Sequence, residues 1–197
     1  MLGSNNNPNN LREQHFTAHI GRCRSFSEYV LFYEHSIEKL FRDLSEGNGT
    51  PDLIAFPLLF LMRHTMELGY KFSLFHLCKL NSSPFSPEAK GGERHSLMEL
   101  HERLGLEFSE AQRLGYASAK DREEFDEHYS VTEKGMRLFD ELDQPATKLR
   151  FPNSDQRPVF PENKVVNLLE LKNAFDEAMI LLDTVVDVVA RPELYYW

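Results

Sequence analysis

Residues 51–80 place the tightest limit on the fold. Read at about 100° per residue, Leu58, Leu61, Met62, Met66, Leu68, Phe72 and Phe75 spread over most of the circumference. Even the one charged quadrant is flanked by Phe56, Phe60 and Leu74. A helix that is apolar nearly all round belongs in the middle of a protein, with other helices laid against it. Its start is marked by Gly-Asn-Gly-Thr-Pro at 47–51, with Thr50 as the N-cap and Pro51 in the first turn. Pro57 is expected to kink this helix or to mark its real beginning. The longest nearly uncharged run, 53–62, stops at Arg63. That is about half of the roughly 20 residues a membrane span needs.

The flanking segments supply the partners. Apolar residues recur at helical spacing from Phe16 through Ile20, Cys23, Tyr29, Phe32, Tyr33, Ile37, Leu40 and Phe41 to Leu44, with Gly21 and Ser25 dividing a short helix from a longer one. Residues 81–92 are loop. A helix starting near His95 carries Leu97, Leu100 and Leu104 on one stripe. The acidic stretch 108–143 predicts one or two helices, broken near Ser118 or Ser130. Residues 144–161, with Pro145, Pro152 and Pro158, read as an ordered excursion or a short extended pair. From 162 to 190 a broad stripe that includes Val165, Val166, Phe175, Leu182 and Val189 gives the last helix, stopped by Arg191-Pro192. The aromatic Leu194-Tyr195-Tyr196-Trp197 is expected to pack back or to meet a partner. No segment alternates long enough for a strand. The expectation is an all-α fold, an antiparallel helical bundle of four to five long helices. It forms one domain over 11–197 behind a disordered asparagine-rich tail at 1–10.

Hydrophobic residues make up 41% and charged residues 27% of 197 residues, enough for one sizeable core and far from the disorder regime. Cys23 and Cys78 stand apart, without a Cys-x-x-Cys pair, and the start lacks a secretory pattern, so buried reduced thiols in a cytoplasmic protein are expected. The net charge is −9; residues 121–197 carry 9 Lys+Arg against 17 Asp+Glu and so contribute −8 of it. Such a balance opposes nonspecific nucleic-acid binding, which works by neutralising phosphates, and leaves RNA or nucleotide contact only to a local cationic site. Walker, Gly-x-Gly-x-x-Gly, His-Glu-x-x-His and nucleophile-elbow patterns are missing from the sequence. No cofactor, metal or membrane association is expected.

The informative chemistry is the charged quadrant itself. With Arg63 at zero, Glu67 lies near 40°, Lys71 near 80° and His64 near 100°. Two readings follow. In one, Arg63 and Glu67 pair at i, i+4, Lys71 completes the chain, and the network sets the register of the helices. In the other, the cations line a cleft that binds or cleaves a phosphodiester, with His64 tuned by the charges around it.

Arg63-His64-x-x-Glu67-Leu68-x-x-Lys71, then a loop, then His95-x-Leu97-x-x-Leu100, resembles a pattern of many bacterial proteins related to the HEPN (higher eukaryotes and prokaryotes nucleotide-binding) superfamily. Lys148-Leu149-Arg150-Phe151-Pro152 is similar to an Arg-Tyr-Pro segment often found there. The resemblance spans roughly residues 25–190. It implies a four- or five-helix antiparallel bundle, homodimerisation, and membership of a group rich in RNA-cleaving toxins and phage-defence proteins. Active members carry Arg-x(4–6)-His near the start of a late helix. Here Arg12…His19, Arg94…His101 and Arg122…His128 fit that spacing, none of them in the last helix, and Arg122…His128 encloses the acidic Glu-Glu-Phe-Asp-Glu.

The resemblance makes the protein a candidate RNA-binding protein or metal-independent endoribonuclease, acting as a homodimer or with a partner protein. In that scheme His64 and His95 share the proton work with Arg63 over the developing phosphorane charge, while Lys71 and Glu67 complete the substrate-binding side. The alternative is a non-catalytic helical interaction subunit in which the same residues form an internal charge network.

Overall fold

The computed structural model describes residues 18, 25–86, 96–143, 149, 159–161 and 163–190. Five helices occupy them: α1 (Phe26–Ser45), α2 (Pro51–Leu80), α3 (Leu97–Arg113), α4 (Ala119–Leu142) and α5 (Leu168–Val189). No strand occurs among the described residues, and no helix there is long and apolar enough to cross a membrane.

Side-chain caps fix most of the helix starts. Ser25 and Ser118 each accept from the N3 backbone, while Glu28 and Asp121 reach back to the cap N–H, giving two capping boxes. Ser96 and Asn167 cap α3 and α5 through their side chains. Thr50 makes no side-chain cap bond, and the start of α2 relies on Pro51, whose fixed φ suits the first turn.

At two boundaries the structure decides between alternatives the sequence left open, and at a third it differs from the expectation. Pro57 lies inside α2 rather than at its start, where its ring removes one internal hydrogen bond that the helix's burial outweighs. The acidic stretch breaks once, at 114–118, and α4 runs through Ser130 without interruption. The last helix begins at Leu168 instead of 162, because Asn167 accepts from both Leu169 N and Glu170 N and closes the helix there. The tail at 1–10, the N-terminal part of the first helical region, and the aromatic tail lie outside the described residues.

α2 is central as its composition requires. Leu58, Met62, Met66, Tyr70, Leu74 and Leu77 are fully buried and meet core residues such as Ile37, Leu104, Phe108, Phe139, Leu182 and Val185. Two glycines let helices approach closely. A Cβ on Gly69 would stand 2.7 Å from Leu182 Cδ1, and one on Gly135 would stand 2.8 Å from Ala174 Cβ. α1 is antiparallel to α2, and α4 is antiparallel to both α3 and α5, as contacts such as Tyr33–His64, Phe125–Phe108 and Lys134–Glu170 require.

The expected all-antiparallel arrangement does not hold throughout. Tyr70 meets His101, and further along both helices Asn81 meets Glu107, so α2 and α3 run parallel. Leu59 shares a cavity with Leu168, and Gly69 abuts Leu182, so α2 and α5 are parallel too. Parallel neighbours of this kind occur in four-helix bundles with crossover connections.

Candidate functional site

Arg63 is 3% exposed, Glu67 5% and Lys71 8%. Arg63 Nη1 donates to Glu67 Oε2 at 3.2 Å, and Lys71 Nζ donates to Glu67 Oε1 at 2.6 Å, the two i, i+4 pairs that the helical spacing suggests. The rest of the guanidinium faces α4. Its Nε is 3.1 Å from Asp143 Oδ2 and its Nη2 is 3.7 Å from Asp140 Oδ1.

The two aspartates tie this cluster to further backbone. Asp140 accepts from Ser96 Oγ (2.8 Å), Leu97 N (2.9 Å) and Met98 N (2.9 Å), so one carboxylate caps α3 and contacts Arg63. Asp143 accepts from Leu149 N at 3.0 Å. Carboxylates are favoured at a helix N-terminus, where unpaired N–H groups concentrate. Arg63 thus links α2, the end of α4, the start of α3 and the segment beyond α4. Two cations meet three carboxylates among the described residues.

His64 points into a different environment. Its ring stacks on Phe60 at 5.6 Å and 6°, and meets Tyr33 of α1 edge-on at 5.3 Å. Tyr33 in turn stacks on Tyr29 at 6.2 Å. His95 lies outside the described residues, as do Lys148 and Arg150 of the segment near the last helix. The structure brings Arg63, Glu67 and Lys71 together and sets His64 among rings.

The described members of the Arg…His spacings also separate. His101 is 1% exposed; its Nδ1 is 3.0 Å from the Tyr70 hydroxyl, and its ring stacks on Tyr129 at 4.0 Å. Burial pushes its pKa down to about 4, partly offset by Glu133 and by a backbone hydrogen bond at Tyr129. It is therefore a neutral core group. Arg122 donates to Asp126 at 2.7 Å and to Ser109 of α3 at 2.7 Å, whereas His128 lies 3.6 Å from Glu177 of α5. Six residues apart on one helix, the two address different neighbours.

Other charged groups form packing pairs. Lys172 contacts Glu38 at 2.6 Å and Asp176 at 2.7 Å, and Glu107 accepts from Asn81 and Ser83, each at 2.8 Å. Cys78 is a buried free thiol whose pKa is raised, chiefly by burial. No group of three or more metal-ligating side chains occurs among the described residues.

A cavity of about 440 Å³ opens where α2 and α5 begin, lined by Phe56, Leu59, Leu142, Phe160, Lys164 and Val166 among others. The apolar period of 162–190 had assigned Val165 and Val166 to a helix stripe; instead they form part of this wall. Asp140 and Asp143 as partners of Arg63, and this cavity, are the features that sequence reasoning missed. The Asp140-x-x-Asp143 spacing is visible, but nothing local says which helix it faces.

The chain matches no protein-family model, no curated protein and no solved structure. The reading of its function therefore rests on the geometry of the chain itself.

Proposed function

We propose that the chain is a HEPN-like helical bundle working as a non-catalytic interaction subunit, with the charged quadrant of α2 serving as an internal lock. The observation that carries this reading is the setting of Arg63. It is buried, and it touches carboxylates of Glu67, Asp140 and Asp143 where a substrate phosphate would have to sit. Those three charges would repel a phosphodiester, and opening the cluster would leave buried charges unpaired at a cost of several kcal/mol. An interaction role is supported by large apolar side chains left at the surface of α1, among them Tyr29, Leu31 and Phe32. A homodimer or a complex with a partner protein is the expected working state.

The test is incubation of the purified chain with total RNA beside His64→Ala and Arg63→Ala variants, with melting temperatures measured in parallel. The lock reading expects no cleavage by the wild type and a large loss of stability in Arg63→Ala. Cleavage by the wild type that disappears in His64→Ala, at an unchanged melting temperature, would replace it with the RNA-processing reading.

A further inference from the structure

The cavity at the head of the bundle has the layout of an amphipathic site. Its floor is hydrocarbon, with Leu59 4% and Leu142 2% exposed. Phe56 and Phe160 pack against each other to form one aromatic wall, ring centroids 5.9 Å apart. Its rim is open: Lys164 and Val165 are exposed, and Val165 is 86% so. Among the described lining residues Lys164 is the one cation and Asp52 the one anion. Asp52 lies in the first turn of α2, where the helix end already favours its negative charge. Among the described residues Lys164 has no comparable local offset. A volume of about 440 Å³ falls within the roughly 300–1,000 Å³ of small-molecule pockets, which are mostly apolar with a few placed polar groups.

The walls are held by specific bonds rather than by loose contact. Lys164 N donates to Pro161 O at 2.8 Å, which fixes the turn that carries the lysine. Leu142 precedes Asp143, anchored by Arg63 and Leu149, and Leu168 follows the Asn167 cap. A site assembled from helix ends pinned in this way is formed before a ligand arrives, which lowers the cost of binding.

From these features we infer that the chain binds a small amphipathic monocarboxylate, its hydrocarbon lying against the Phe56–Phe160 wall and the Leu59–Leu142 floor and its carboxylate paired with Lys164. This site does not depend on the interaction reading, because none of its lining residues belongs to the Arg63 cluster. The outcome of the RNA assay leaves it untouched.

The test is calorimetric titration of the full chain with sodium decanoate below its micelle concentration. Decyltrimethylammonium supplies the same tail with the opposite head, and acetate the head without the tail. Saturable binding of one decanoate per chain is expected, with both controls at least tenfold weaker. Lys164→Glu, at an exposed position, should weaken decanoate at least tenfold while leaving the circular dichroism spectrum unchanged. Ala55→Trp, which fills the cavity from its α2 side, should abolish binding. The inference is overturned if the wild type fails to bind decanoate saturably, if decyltrimethylammonium binds equally well, or if Lys164→Glu binds decanoate like the wild type.

Discussion

Arg63 touches three carboxylates, one from α2, one from α4 and one from the residue that ends α4, and the consequences of removing it follow from what is left behind. Arg63→Ala strands Glu67, Asp140 and Asp143 in a buried site with Lys71 as the remaining described cation, and should cost about 3–5 kcal/mol in urea denaturation. Arg63→Met, which keeps much of the side-chain volume, should show whether the loss is charge or packing. His101 makes a separate prediction. Its folded pKa, about 4, lies below the ordinary histidine value near 6.5, so the unfolded chain takes up the proton first. Its contribution is complete above pH 6.5 and declines as pH falls toward 4, by about 3 kcal/mol across that window. The carboxyls of Glu34 and Asp183 act in the opposite direction: burial first, then neighbouring carboxylates, holds them above the usual range. The clean measurement is therefore a comparison: the urea midpoint of His101→Phe should fall less than the wild type's between pH 7 and pH 5. At this scale the sequence showed the Arg63–Glu67–Lys71 pairing, because i, i+4 spacing is local. It could not show Asp140 or Asp143, because which helix end faces Arg63 is decided by the tertiary path of the chain.

Helix boundaries obey short-range chemistry, and most of it is written in the chain. Ser25-x-x-Glu28, Ser96-x-x-Glu99, Ser118-x-x-Asp121 and Asn167-x-x-Glu170 all place a cap residue three positions before an acid, and each begins an observed helix. Hydrophobic period alone misplaced the start of α5, since Val165 and Val166 fit the 3.6-residue repeat without being helical. The cap at Asn167 was the better signal. It gives an element-level prediction: Asn167→Ala should cost about 1 kcal/mol, because its side chain satisfies two backbone donors. Thr50→Ala should cost clearly less, because Thr50 makes no such bond. Thermal melts of the two variants side by side decide the comparison. Equal losses would mean that the two helix starts depend on something other than their caps.

The whole molecule is organised around α2, whose all-round apolar surface is legible in the sequence. An all-helical architecture followed from it, whereas the choice between a cleft and the bundle interior for the charges needed the placement of Arg63 against Asp140 and Asp143. The parallel course of α2 with α3 and α5 was not legible, because residues 81–92 read only as loop and periodicity carries no direction. That course matters for function. It brings the end of α4 and the start of α3 onto Arg63, making one charged cluster the meeting point of three helices. The central claim is that this cluster works as an internal lock. A double-mutant cycle between Arg63→Met and Asp143→Asn, read by urea denaturation, tests it most directly. The account predicts that the double variant loses at least about 1 kcal/mol less than the sum of the single losses, the mark of direct coupling. Losses that add to within about 0.5 kcal/mol would contradict it.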